Sequence, residues 1–445
     1  MPVIRGQRRT RGSKGAHVGP MRHLGDEPQQ FEVYTGEEYG WAFKPLYYSK
    51  NVPEFTTDPA TGHVPIPKDC RPPALILKDL DCLRVLGEGY YDQVYLARVN
   101  RREHPLDIPA VFALKSLRRR DYRYPNISVL GYPPRGHFPA NCIPGMDEET
   151  KLIVEEHYKM MNGEKCALVH LPWSPWVTGI YQAFHDEERL YMALEYIPGG
   201  TLRSVIADTW TKNGRLSVAD AQFYFANIVL ALEFLHGCEL VHCDLKPENI
   251  LVGGDGYLVL TDFGRAQWAE NKISQWQGIG TLYYMAPECF PEVSPKPQDE
   301  PYAVDWWASG VILFEMLTSN LPFCGKTYEE TRKAILFRRW QWPVNFKAGK
   351  NLNDVVSYLL APHSSQRLGR HSARDVEKHA WLEAVEWDKM DRKGYLAPFI
   401  PSQQDITKLW HKLPLPKQHY VPGLKVIEPP IHLKNDDRFP CHTHG

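Results

Sequence analysis

Leu240 to Ile250 reads LVHCDLKPENI, a run dense in groups able to move protons or hold anions and metals. Asp244 offers a carboxylate, Lys246 an ammonium two residues on, and Asn249 an amide oxygen. Asp262, at the end of the short apolar stretch YLVLTD, adds a further carboxylate. Hard oxygen donors close to phosphates are what Mg²⁺ requires, so Asn249 and Asp262 with Asp244 suit phosphate chemistry. A second feature points the same way. Gly87-Glu88-Gly89-Tyr90-Tyr91-Asp92-Gln93-Val94 is a Gly-rich turn between two candidate strands, and such turns let backbone N–H groups approach phosphate oxygens. Taken alone it is more often a plain hairpin. Lys115 on the next strand strengthens the phosphate reading. It shares a face with Val111 and Ala113, and an ammonium on an apolar face needs an anionic partner.

These residues need elements to hold them, and the patterning supplies candidates. CLRVLGEG, QVYLARV and AVFALKSL have the alternation and β-branched content of three successive strands. VTGIYQAF and LYMALEYI read as two more. Between the two groups, residues 116–150 are rich in Pro, Gly and Arg and read as an inserted loop, with a helix beginning near Glu148. After Pro198-Gly199-Gly200 the chain turns mainly helical. Ser217 with Asp220 forms an acidic capping box for a helix through AQFYFANIVLALEFLHG that Gly237 would end. The expected architecture is α+β: a small β-rich unit over about 76–197 and a larger helical one over about 198–385. An irregular arm at 1–75 and a Pro- and Lys-rich tail at 386–445 flank them.

Composition sets outer bounds. Of 445 residues, 43% are hydrophobic and 24% charged, enough for at least one large core. A net charge of −1 gives no global field toward nucleic acid or an anionic membrane. The apolar run VILFEML is far short of the roughly 20 residues of a membrane span and reads as a buried helix. Nine scattered cysteines without a CxxC pair fit a reducing compartment, the cytoplasm or nucleus. The Arg-rich start MPVIRGQRRTRGSKG reads as a solvated basic tail, with a transit or nuclear signal as the alternative. Cys441, His442 and His444 are metal-ligand types, but at a chain end they read as plain tail residues.

Together the motifs, in order, resemble those of eukaryotic protein kinases. LGEGYYDQV looks like the Gly-rich loop, VFALK the strand with the ATP lysine, and HCDLKPEN the catalytic loop. Asp262-Phe263-Gly264 looks like the metal-binding turn and Met285-Ala286-Pro287-Glu288 like the end of the activation segment. LYMALEYIPGG, GTLYYMAPE, VDWWASG and Arg367-Leu368-Gly369 are most similar to the AGC group of Ser/Thr kinases.

The resemblance implies a bilobal fold that uses ATP and Mg²⁺ and acts on Ser/Thr hydroxyls of proteins. Asp244 would orient or accept the hydroxyl proton, Lys246 and Thr281 would assist, and Asn249 and Asp262 would hold Mg²⁺. Lys115 would hold the α- and β-phosphates. Its helix partner is placed at Glu164 rather than Glu155 or Glu156, counting back from Pro175-Trp176-Val177, with Met160 and Leu168 giving an apolar face. Leu86, Gly87, Gly89, Val94, Ala113, Leu194 and Leu251 would line the nucleotide site, with Glu195 and Ile197 offering backbone groups. Glu288 and Arg367 would form a buried structural ion pair. The alternative is a pseudokinase that binds nucleotide or partners without turnover. A non-catalytic scaffold has no physical need for Lys115, Asp244, Lys246, Asn249 and Asp262 together.

Three positions depart from the family pattern. Asp92 replaces the third glycine of the loop, and either weakens nucleotide binding or points to solvent. Thr201 stands where AGC kinases carry an acid, while Glu248 and Glu315 keep a preference for arginine near the phosphoacceptor open. Cys243 replaces an arginine that pairs with a loop phosphate, and Gln277 stands where the phosphothreonine would be. Receptor and acceptor are missing together, so the loop is expected to be held without phosphorylation. Cys243 itself reads as a structural thiol rather than a redox centre. The tail lacks a Phe-x-x-Phe motif, and APFIPSQQDITKLW is expected to run along the small lobe.

Overall fold

A computed structural model describes residues 75, 77–88, 92–99, 111–118, 163–168, 170–185, 189–270, 278–293, 300–402, 414 and 425–426. The expectations for the N-terminal arm, Gly89, most of the 116–150 insert, the helix start near Glu148, Gln277 and the Cys441–His444 cluster lie outside these residues. The described residues fall into two compact units, one over Pro198–Pro401 and one made of those up to Ile197 together with those from Ser402 onward.

The smaller unit is built on a sheet of order β10-β1-β2-β3-β5-β4. Its strands are β1 (Leu80–Glu88), β2 (Asp92–Val99), β3 (Phe112–Arg118), β4 (Ile180–His185), β5 (Arg189–Leu194) and β10 (Lys425–Val426). All neighbours pair antiparallel except β10, which adds to β1 in parallel, Asp81 opposite Lys425. The alternation seen in the sequence sorts the two faces. Cys82, Tyr95, Ala97, Phe112, Leu114, Tyr191 and Ala193 pack into one apolar cluster with Leu75, Leu80 and Tyr181. The opposite face carries Lys115 and Ala113, with Val94 directly across from Lys115 and Leu194 across from Ala113. Directly opposed side chains stand on the same face of a sheet, so four expected nucleotide-site residues meet there. Helix α1, residues 163–168, follows in this unit. The tail meets this unit at Pro414, whose carbonyl accepts the Val85 N–H at 3.0 Å, and at β10, which joins the sheet. Most of the APFIPSQQDITKLW segment expected to run along the small lobe lies outside the described residues.

The larger unit surrounds helices α2 (Leu202–Asn213), α3 (Val218–Gly237), α4 (Ala303–Thr318), α5 (Tyr328–Leu336) and α6 (Lys350–Leu359). Ser217 caps α3 by accepting the Asp220 N–H at 3.0 Å, and the helix ends at Gly237, both as the capping signals indicate. α3 is long and apolar enough to cross a membrane, but 72% of that window is buried inside the protein. It is the central core helix. Every residue of α4 is buried as well, including the VILFEML run. Gly310 lets α4 and α6 approach closely, since a Cβ there would meet the Leu359 Cβ at 2.7 Å. Two short antiparallel strand pairs complete the unit: β6 (Leu240–Val241) with β9 (Gln267–Trp268), and the β7 (Ile250–Val252) and β8 (Leu258–Leu260) hairpin.

Candidate active site

In the smaller unit the Lys115 ammonium lies 2.7 Å from Glu164 Oε2 and 3.1 Å from Asp92 Oδ2. The Glu164 side chain is 1% exposed and that of Lys115 6%. Burying the two charges is favourable only because they are paired, which explains a glutamate on the apolar face of α1. Asp92 thus turns its carboxylate to Lys115, and the solvent-pointing alternative is set aside. Gly87 pairs with Val94 at the mouth of the β1–β2 hairpin, with Leu86 beside it. The Glu195 N–H is committed to the Gly179 carbonyl at 2.8 Å. A base edge held at Glu195 would therefore use its carbonyl, with Ile197 two residues on.

In the larger unit the loop between β6 and β7 carries the catalytic candidates. Lys246 Nζ donates to Asp244 Oδ2 at 2.9 Å and to Thr281 Oγ1 at 3.0 Å. The Thr281 hydroxyl donates to Asp244 Oδ1 at 2.7 Å, closing a triangle. Asn249 Nδ2 donates to the Asp244 carbonyl at 2.9 Å, which fixes the amide so that its Oδ1 is the atom left for a cation. The β7–β8 hairpin pairs Ile250 with Leu260, and the Thr261 N–H donates to the Asn249 carbonyl at 3.0 Å. Asn249 and Asp262 are thereby brought to the same end of one hairpin. Two hard oxygen donors on a short turn are the ligand type that Mg²⁺ takes. Leu251 sits on β7, bridged to Thr201.

The loop is held from below by Asp305 of α4, a residue whose role the sequence did not single out. Its Oδ2 accepts the His242 N–H at 2.8 Å and contacts His236 Nε2 at 2.9 Å, while Oδ1 accepts the Cys243 N–H at 3.0 Å. His242 Nε2 lies 3.0 Å from the Thr261 carbonyl, tying the loop to the strand before Asp262. Cys243 has φ of 61°, a left-handed conformation unusual for a residue with a Cβ. The two bonds to Asp305 hold the backbone in that state. Burial, then the charge of Asp305, pushes the Cys243 thiol well above its ordinary range. A thiol kept protonated is a poor nucleophile, in keeping with a structural role.

Glu288 and Arg367 form the expected buried pair, at 2.6 and 3.0 Å. Arg367 also donates to the carbonyls of Ala303 and Ala361 and covers the Trp307 ring. It joins the end of the activation segment to α4 and the 360s loop. Sequence reasoning missed Arg203, which spans Glu248 and Glu315. Its partners lie 45 and 112 residues away, so no local spacing signals it.

In the larger unit a carboxylate is hydrogen-bonded to a hydroxyl and a lysine beside two further oxygen donors, and in the smaller unit a buried lysine is paired with a glutamate. The protein kinase domain family matches residues 148–382. The human cAMP-dependent protein kinase catalytic subunit PRKX is 31% identical over 79% of this chain and 86% of its own length. A Dictyostelium discoideum cAMP-dependent protein kinase catalytic subunit is 36% identical over 74% of this chain and 43% of its own. A mouse ribosomal protein S6 kinase alpha-6 is 29% identical over 77% and 39% respectively. The chain belongs to the protein kinase family, as a serine/threonine kinase of the AGC group with the bilobal fold. The matched family region begins after the Gly-rich loop and Lys115, so the roles of those residues rest on their geometry.

Proposed function

We propose that the chain transfers the γ-phosphoryl group of ATP to Ser or Thr hydroxyls of proteins, with Asp244 receiving or orienting the hydroxyl proton. The observation that carries the assignment is the Asp244–Lys246–Thr281 triangle. A hydroxyl already hydrogen-bonds to Asp244 while a cation stands 3.0 Å from its oxygen. A substrate hydroxyl approaching the same carboxylate meets the same two groups. Lys246 then lies where negative charge on the transferring phosphoryl develops, the kind of electrostatic stabilisation phosphoryl transfer depends on. Asn249 and Asp262 would hold Mg²⁺, which when bound offsets phosphate charge. Lys115, oriented by Glu164, would anchor the α- and β-phosphates. By the family pattern Val94, Ala113 and Leu194 would offer apolar surface to the adenine, and Leu86, Gly87 and Gly89 would form the loop over the phosphates.

The six cysteines among the described residues are free thiols, which suits the cytoplasm or nucleus. Glu248 and Glu315, the pair expected to hold a basic substrate residue, are both engaged by Arg203. Anchoring of the catalytic loop by Asp305 supports activity without activation-loop phosphorylation.

The test is phosphate incorporation into Ser-containing protein and peptide substrates by the full chain and its Asp244→Ala variant. A loss of at least about 100-fold, the usual scale for removing a positioned acid–base group, with ATP binding retained, is expected. Equal and negligible incorporation by both would instead favour the pseudokinase.

A further inference from the structure

Two carboxylates flank the catalytic loop. Glu248 lies four residues after Asp244 on the turn that carries Asn249, and its side chain is 46% exposed. Glu315 comes from α4 and its side chain is 6% exposed. Left empty, this pair would draw any cationic side chain that arrived beside the phosphoacceptor. It is not empty. Arg203 Nε donates to Glu248 Oε1 at 2.7 Å, and its Nη1 donates to Glu315 Oε1. Nη2 reaches the Tyr284 hydroxyl at 2.6 Å and Glu315 Oε2 at 3.3 Å, and that hydroxyl donates to Glu315 Oε2 at 2.7 Å. The guanidinium therefore uses all three of its nitrogens on this cluster.

The local chain supports this placement. Thr201 accepts the Ser204 N–H at 3.2 Å as the N-cap of α2, which puts Arg203 in the first turn. A cation there opposes the helix dipole, and α2 has no acidic residue in its first turn to offset it. The compensation comes from Glu248 and Glu315. Conversely, Glu315 is buried, and leaving a buried carboxylate without a counter-charge is costly. Each side needs the other whether or not substrate is present.

We propose that Arg203 fills the substrate-arginine subsite from within the chain, so that this kinase does not select a basic residue near its phosphoacceptor. The proposal rests on the kinase reading and makes Arg203 a specificity-determining residue. An incoming arginine would have to displace a bidentate, partly buried guanidinium to reach Glu315, exchanging one ion pair for an equivalent one. Only the outer oxygen of Glu248 is accessible without that exchange, and an exposed pair there is weak.

The experiment uses Ser peptides carrying Arg or Ala at each of the four positions before the acceptor. Binding to the full chain is read by fluorescence anisotropy and turnover by phosphate incorporation. Wild type is expected to treat the Arg and Ala peptides within about twofold, the scale of a single exposed pair. Arg203→Met is expected to gain about tenfold for Arg at one position, the scale of a charge-assisted bidentate contact. Adding Glu248→Gln to that variant should remove much of the gain. In an otherwise wild-type chain, Glu248→Gln should leave the Arg-to-Ala ratio unchanged. A wild-type preference for Arg of tenfold or more that Glu248→Gln abolishes would overturn the proposal. So would a folded Arg203→Met that gains nothing. If Arg203→Met fails to fold, the wild-type ratio and Glu248→Gln decide alone. Absence of turnover on every peptide would sink the kinase reading, while anisotropy would still decide between an open and a filled subsite.

Discussion

Lys115 carries two carboxylates on one ammonium, and only one of them is needed to orient it. Glu164 is the buried partner; Asp92, whose side chain is 27% exposed, is the more open one. An oxygen 3.1 Å from Nζ occupies a coordination direction that a phosphate oxygen would use. Nucleotide binding must then either displace Asp92 or accept an anion beside the phosphates, and both outcomes cost affinity. Asp92→Gly is expected to lower KM for ATP about tenfold, the scale of a charge-assisted hydrogen bond, with kcat changed far less. Steady-state kinetics at saturating peptide read the split, and an unchanged KM would show that Asp92 leaves the lysine without cost. Asp92→Asn should fall between, because the amide keeps the shape and loses the charge.

At the scale of elements, a close constraint is the crossing of α4 and α6. Gly310 has no room for a methyl group: Leu359 Cβ would lie at 2.7 Å and Leu360 Cδ2 at 3.2 Å. Helix propensity alone would favour alanine over glycine by about 1 kcal/mol, so retention of glycine here reflects packing. Gly310→Ala is expected to destabilise the larger unit by about 1–3 kcal/mol through overpacking, read as a lower midpoint in chemical denaturation. An unchanged or higher midpoint would mean that α6 shifts freely. The five strands that build the Lys115 face were legible because each alternates over several residues, and α3 because its cap and its Gly237 stop are local. β10 was not. Two residues pairing in parallel with β1 leave no period to read, and that strand lies hundreds of residues from its partner. Thr281 was reached only through the resemblance to kinases, whereas Asp244, Lys246 and Asn249 were legible as a cluster by residue type and spacing. The contacts of Asp305 and Arg203 were not, because both reach across tertiary packing to residues tens of positions away.

For the molecule as a whole, the remaining question is how its activity is switched. The catalytic loop is fixed by Asp305, which holds the His242 and Cys243 N–H groups from the fully buried α4. Its other side is fixed by the Thr261 carbonyl through His242. Glu288 and Arg367 tie the end of the activation segment to the same helix. Position 243 offers a protonated thiol where a loop phosphate would need a cation. Gly280, at φ of 115°, brings the segment before Thr281 against the Cys243 carbonyl, so close that a Cβ would lie 2.9 Å from it. An arginine side chain at 243 would need space and a counter-charge that this contact does not provide. The kinase is therefore expected to be active as synthesised. Protein made in a host without Ser/Thr kinases, or treated exhaustively with phosphatase, should keep its turnover within about twofold of untreated protein, the range left when no charge-assisted contact has been lost. Mass spectrometry of the untreated protein supplies the control. If Ser274 proved to be phosphorylated and phosphatase abolished activity, the anchoring by Asp305 would be insufficient and the switch would lie in the loop after all.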